Sequence, residues 1–585
     1  MNGQTKERLK PSQEKVWLKF LPEACRSAVI PERTIYEFIK EVCASRPDGK
    51  AIYYYGTSVT YGEMLKKIDR LAEAYYALGV REGEYVSFLT VTLPEAIYSM
   101  YALNKIGAIG NFIDPRMDIQ RILDAVQGVK SKVLVTLDIA WPKVAKIRKE
   151  LAQKHIITLS PNQSLPLVAK VYRSLTEKNK PNIPYDKKTV LRWKELEAMS
   201  GSAVRPVPYK KDSVATITYT GGTTGTPKGV MLTNDGMNCM AQSFAVSGVD
   251  YEPGERFLEI MPIFASYGVG CGIHMPFAMR QENVIIPKFT PDELGALIKK
   301  YRPNHMMGVP SFYERIMHSK DLWDFDLSFL KTTGCGGDTM NPGLEARFNK
   351  FMKEKGGLYN LSQGYGMSEM TGAATCCYSN IYKDDSSGIP LYCNTVGIFD
   401  PETGEELDYG QEGEICMTGR GMMLGYHGLP EETAKVIRTH ADGTKWVHSG
   451  DIGYLDEDGF LYIRGRIKQI IIKFDGHKVF PVQIEGIINR HKAVAACTVV
   501  GIQDPDHAQG SVPLGVVELK KGIPSEQKET IRKEILQMCN ELLEERGKPA
   551  DVTFIDEMLH TGLAKHDYRA LTEMFKDHVI QKETM

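Results

Sequence analysis

Residues 218–232 read TYTGGTTGTPKGVML. The run entering this stretch, SVATITYT (213–220), predicts a strand, and the glycines follow at once. Gly221, Gly222 and Gly225 permit positive φ, so that successive backbone N–H groups can turn toward one point. Thr220, Thr223, Thr224 and Thr226 add hydroxyl donors, and Lys228 adds a mobile positive charge. Such a loop is either a phosphate cradle or a flexible glycine-rich turn. It is not a P-loop, which needs GxxxxGK[ST]; here Pro227 and Gly229 flank the lysine.

Outward from this loop the chain alternates strand and helix signals. VTYGEMLKKIDRLAEAYYALG (59–79) predicts a helix: Thr60 and Glu63 have capping-box spacing, and Gly79 can close the end. Met64, Ile68, Leu71, Tyr75 and Leu78 share one face. YVSFLTV, KVLVTLD and NVIIP read as strands, and a helix is expected around Ala96–Gly107. This is the pattern of a parallel sheet covered by helices. Residues 160–212 are rich in Lys, Pro, Ser and Asn and read as an insertion or long connection. From 394 to 467 short strands such as EGEICMTG and FLYIRGR predict a small β subdomain. Ile531, Ile535, Met538 and Leu542 mark one amphipathic helix further on. The expected class is α/β, with an extension over 1–34, a large N-terminal domain over 35–467 and a small α+β domain over 468–585.

The 585 residues are too many for one core. Apolar residues at 42% and charged residues at 25% suit a globular chain. Lys plus Arg (72) against Asp plus Glu (73) leaves no positive field for nucleic acid. There is no signal-peptide core and no apolar run of about 18 residues. The eleven cysteines show no CxxC pair, and a disulfide lattice is not expected in a chain of this size. A cytoplasmic setting is expected.

Five motifs, in order, resemble the adenylate-forming superfamily of acyl-CoA synthetases, adenylation domains and luciferases. They are YTGGTTGTPKGV (219–230), QGYGMSE (363–369), HSGDIGYLDEDGFLYIRGR (448–466), GRIKQIIIKFDGHKVFPVQIE (465–485) and TGLAKHDYRAL (561–571). The resemblance implies ATP, Mg²⁺ and coenzyme A. It assigns Thr220, Gly221, Gly222, Thr223, Thr224, Gly225 and Lys228 to the β- and γ-phosphates. Glu369 and Thr223 would serve Mg²⁺. Gly337, Asp338 and Thr339, with Gly364, Tyr365 and Gly366, would line adenine, and Ser368 would approach the α-phosphate. Asp451 and Arg466 would bind the ribose. Lys565 would be the catalytic lysine, Lys468 the hinge of a mobile C-terminal domain, and Gly476 a border of the thiol tunnel. Taken singly, Asp451 also suits a turn, Tyr365 a core position, and Lys565 a solvated surface.

The implied chemistry joins a carboxylate to AMP and then moves the acyl group to a thiol. Three positions depart from the family pattern: Gly221 replaces a frequent Ser, Gln469 an Asp, and Ala564 a Gly. MPIFASYGVG (261–270) matches the gate of the acyl pocket. Amino-acid-activating members carry Asp where this chain has Ala265, and an ammonium there would lack its partner. Phe264, Ala265, Gly268, Gly270 and Val309 would line a pocket for a fatty or bulky apolar acid. An acyl carrier protein as acceptor, a homodimer, and a silent nucleotide-binding scaffold stay open.

Overall fold

The computed structural model describes residues 9–176, 181–220, 227–249, 251–338, 340, 342–378, 380–507, 509–559 and 566–580. Among these, seven strands form one sheet in the order Val190–Arg192, His155–Leu159, Val133–Leu137, Tyr85–Leu89, Ile109–Ile113, Val214–Tyr219, Gly229–Thr233. Neighbours run parallel except for the last, antiparallel pair. Helices Pro94–Lys105 and Ile119–Gly128 supply two of the crossovers that parallel strands require. Val133–Leu137 is buried along its whole length, which is why it reads as a continuous apolar run. Helix Tyr61–Ala77 begins at the expected capping box, and Gly79 follows it at φ +98°.

A nine-stranded sheet carries six parallel strands at its centre: Ser362–Tyr365, Thr332–Cys335, His305–Gly308, Arg256–Glu259, Glu282–Ile285 and Lys50–Tyr54. Their C-terminal ends open on one edge, the usual place for a ligand crevice in α/β sheets. Five antiparallel strands, Asn394–Phe399, Gly413–Gly419, Ile437–Thr439, Lys445–Leu455 and Leu461–Arg466, make the β subdomain. The C-terminal part pairs Val494–Gln503, Ser511–Leu519 and Asp551–Ile555 beneath helices Pro481–Ile488, Lys528–Leu542 and Tyr568–Phe575. Its apolar cores draw on residues from Ile471 onward, as a separately packed unit does. No helix of the described residues is long and apolar enough to cross a membrane.

Four features differ from the sequence expectation. The 160–212 segment is not connection throughout: Val190–Arg192 is an edge strand, and Trp193 and Leu196 are buried. A three-residue strand is too short to show periodicity. The extension, to which the sequence reading gave no contacts, is docked: Trp17 is 1% exposed, Phe20 meets Phe460 edge-on, and Lys10 pairs with Asp408 at 3.0 Å. Leu542 is exposed at the end of its helix, and Cys539 takes the buried position beside Ile531 and Ile535. Finally, one disulfide, Cys239–Cys393, spans 154 positions, while the other nine cysteines are free and buried.

Candidate active site

The phosphate-loop candidate leaves the seven-stranded sheet between its antiparallel partners. Thr220 N–H donates to the Lys228 carbonyl at 3.2 Å, pinning the two ends of the loop together. Gly221, Gly222, Thr223, Thr224 and Gly225 lie outside the described residues. Lys228 is held: its Nζ lies 2.5 Å from Glu432 Oε2 and 5.0 Å over the Tyr426 ring. Tyr426 in turn donates its hydroxyl to Glu369 Oε1. One aromatic ring therefore stands between the loop lysine and the candidate metal carboxylate. Burial pushes the Glu369 pKa above its ordinary 4.5, and the Tyr426 hydroxyl partly opposes that. Backbone pairing of the Gly425–His427 segment to Gly229 and Met231 fixes this geometry.

Tyr365 ends its strand in the nine-stranded sheet and donates to Asp451 Oδ2 at 2.6 Å. Arg466 Nε meets Asp451 Oδ1 at 2.7 Å, and the two residues are cross-strand partners in the β subdomain. Asp451 is thus oriented from both sides. Burial and the Asp451 charge hold the Tyr365 phenol well above the usual range, so it stays a donor. Gly364 and Gly366 have no room for side chains: a Cβ would stand 2.9 Å from the Thr375 carbonyl and 2.5 Å from that of Gly372. Ser368 opens a short 3₁₀ turn that carries Glu369. Gly337, at φ +83°, follows the neighbouring strand and lies against Val309, with exposed Asp338 beside it. Thr339 lies outside the described residues.

Phe264 is buried and Ala265 half-buried. They lead into a π-helix, Gly268–His274, in which Gly268 faces the Pro262 carbonyl and Gly270 the Thr371 carbonyl. Each glycine is required by that close backbone approach. A π-turn of this kind is common at functional sites. The structure thus brings Lys228, Glu369, Tyr365, Asp451 and Arg466 to one region. Lys468 is exposed in the 3₁₀ turn Ile467–Gln469 that links the two parts of the chain. Gly476 sits at a hairpin tip at φ +81°, with nothing within 4 Å of where a Cβ would stand. Lys565 lies outside the described residues; its neighbour His566 meets the Thr498 hydroxyl at 2.7 Å.

Sequence reasoning missed Tyr426 and Glu432, which contact Glu369 and Lys228 across 57 and 204 positions. It also missed Tyr267, whose ring lies 3.9 Å from where a Gly336 Cβ would stand. No local pattern marks the first two, and Tyr267 stands unremarked within MPIFASYGVG (261–270).

The sequence profile of the AMP-binding enzyme family matches residues 39–427, and that of the AMP-binding enzyme C-terminal domain matches 483–565. A long-chain-fatty-acid–CoA ligase of Bacillus subtilis (strain 168) is 30% identical over 529 residues, covering 88% of this chain and 91% of that protein. A feruloyl-CoA synthase of Amycolatopsis is 28% identical over 522 residues, covering 89% and 94%. In fold the chain resembles ATP-bound MatB from Rhodopseudomonas palustris, with TM-score 0.78 at 24% identity over 93% of this chain and 99% of the other. On these matches the chain belongs to the AMP-binding enzyme family and is an acid–thiol ligase.

Proposed function

We propose that this enzyme activates an apolar, fatty or bulky carboxylic acid with ATP and passes the acyl group to coenzyme A. The observation that carries the reading is the convergence of Lys228, Tyr426 and Glu369 beside the Tyr365–Asp451–Arg466 group. A loop of phosphate-binding composition, a buried carboxylate and a ribose-binding carboxylate are what an ATP site with a metal ion needs. The carboxylate oxygens of Glu369 suit Mg²⁺, a hard cation that binds through one or two carboxylates and substrate phosphates. When bound, Mg²⁺ supplies charge stabilisation for the departing pyrophosphate.

In the first step a substrate carboxylate oxygen bonds to the α-phosphorus as the bond to pyrophosphate breaks. Positioning and electrostatics dominate such transfers. Lys228 would leave Glu432 for the phosphates, Asp451 would hold the ribose, and Lys565 would bridge the two reacting anions. In the second step the coenzyme A sulfur bonds to the acyl carbon, AMP leaves, and the thiol proton goes to solvent. For that step we propose rotation of the part from 468 onward about Lys468, bringing Gly476 to the thiol path. Two features support an adenylation pose here. Glu485, on helix Pro481–Ile488, feels the Asp338 charge. Glu485 also accepts from Val499 N–H at 2.8 Å, next to the Thr498 that holds His566. His566 is thereby held on the part of the C-terminal unit whose helix faces Asp338.

The names of the relatives agree with an apolar acid, and so does Ala265. A cytoplasmic setting suits the nine free cysteines; the single disulfide is the feature against it. The test is pyrophosphate release across a panel of acids, followed by thioester formation on adding coenzyme A. Lys565→Ala should abolish release yet largely spare thioester formation from supplied acyl-adenylate. Equal loss of both half-reactions refutes the two-pose scheme.

A further inference from the structure

Helix Leu167–Thr176, inside the 160–212 segment, is amphipathic with its apolar side turned outward. Leu167, Val168, Val171 and Tyr172 recur at i, i+1, i+4 and i+5, which puts them on one face. They are 79%, 83%, 59% and 67% exposed. Ala169 and Lys170, turned the other way, are half-buried. The apolar stripe of a surface helix normally faces the core. Elsewhere among the described residues no six-residue window holds more than two exposed large apolar side chains. A contiguous group of this kind marks an interaction surface.

The helix is anchored at its N-terminal end. Tyr54 donates its hydroxyl to the Pro161 carbonyl at 2.7 Å, and Pro166 Cγ lies 3.2 Å from where a Gly56 Cβ would stand. Tyr55, in the same turn as Gly56, is 39% exposed and feels the Arg173 charge, so an aromatic ring borders the helix. The only charged residues from Pro161 to Thr176 are Lys170 and Arg173, both positive. An apolar face accompanied by Lys and Arg and by no acid is what holds a helix in the plane of an anionic lipid surface. Tyrosine favours the same boundary between water and hydrocarbon. An apolar groove on a protein asks only for the apolar face, not for charge of one sign. The ten residues reach about 15 Å, too short to cross a hydrocarbon core of about 30 Å but long enough to lie on it.

We infer that helix Leu167–Thr176 is a docking element that lies in the surface of an anionic lipid bilayer. Leu167, Val168, Val171 and Tyr172 enter the acyl-chain boundary, while Lys170 and Arg173 reach the lipid phosphates along their flexible stems. The inference stands apart from the choice of acid, and its test uses no substrate.

The test is co-sedimentation of the full chain with vesicles of phosphatidylcholine and phosphatidylserine in a two-to-one ratio, and with vesicles of phosphatidylcholine alone. Wild type should partition onto the mixed vesicles, less onto the neutral ones, and be released as salt rises. Leu167→Ser with Val171→Ser should weaken partitioning onto mixed vesicles by about 10-fold or more, with Tm unchanged because both side chains are exposed. Lys170→Gln with Arg173→Gln should weaken it by about fivefold per charge and leave the neutral vesicles unaffected. If the first serine pair does not fold, Val168→Ser with Tyr172→Ser decides in the same way. No partitioning of wild type onto the mixed vesicles, equal partitioning onto both kinds, or partitioning that folded serine variants leave unchanged overturns the inference. So does a wild-type dimer that binds no vesicle and that the serine pair breaks up, which would give the face to a second copy.

Discussion

Replacing Tyr426 by Phe removes one oxygen from the site and little else. The ring stays, so Lys228 keeps the face it lies over at 5.0 Å. What is lost is the hydroxyl that donates to Glu369 Oε1, between residues 5% and 6% exposed. Little water can replace it. A hydrogen bond to a charged group contributes about 1.5–3 kcal/mol, which corresponds to about 10- to 150-fold in an equilibrium constant. The half-saturating Mg²⁺ concentration in acid-dependent ATP–pyrophosphate exchange should rise by about that factor at saturating ATP. The loss in Tm should grow with pH, because at low pH Glu369 escapes its missing donor by taking a proton. A Mg²⁺ requirement within about twofold of wild type, in a background where Glu369→Gln does shift it, would refute the claim that Tyr426 orients the metal carboxylate.

Three further outcomes follow from the same geometry. Because burial raises the Glu369 pKa, the Mg²⁺-dependent rate should fall on the acid side at a pH above the ordinary 4.5. The folded state binds the extra proton, so this residue's contribution to stability should fall as pH rises through the same window; an acid limb absent from a pH–rate profile of an active enzyme contradicts it. Glu432→Gln frees Lys228 from a half-exposed ion pair, so KM for ATP should drop by about two- to fivefold; a higher KM would mean that Glu432 positions the lysine for phosphate. Lys468→Pro is compatible with the φ of a 3₁₀ turn but stiffens it. Exchange should stay within a few-fold while thioester formation drops about tenfold or more, and an unchanged ratio of the two rates removes the hinge assignment.

The local pieces were legible because short-range chemistry writes them. The Thr60–Glu63 box, the apolar run at Val133–Leu137 and the strand before Thr220 follow from capping, two-sided burial and β-branching. Tyr365, Asp451 and Arg466 were named from their motifs, the first two being equally compatible with a core position and a turn. What the sequence could not show is that the three side chains bond to one another. The edge strand Val190–Arg192 escaped notice because three residues carry no period. The docked Trp17 did so because its partner Gly459 lies far along the chain.

The sequence by itself marked the longer strands and helices, and offered residues that could meet phosphate, ribose and metal. Those properties depend on a residue and its near neighbours. Only the tertiary structure decided that Tyr426 stands between Lys228 and Glu369, that Cys239 meets Cys393, and that Trp17 is buried against Gly459. Each of these is a meeting of distant segments, set by how the sheets and the β subdomain pack together, and no short stretch of sequence carries that information.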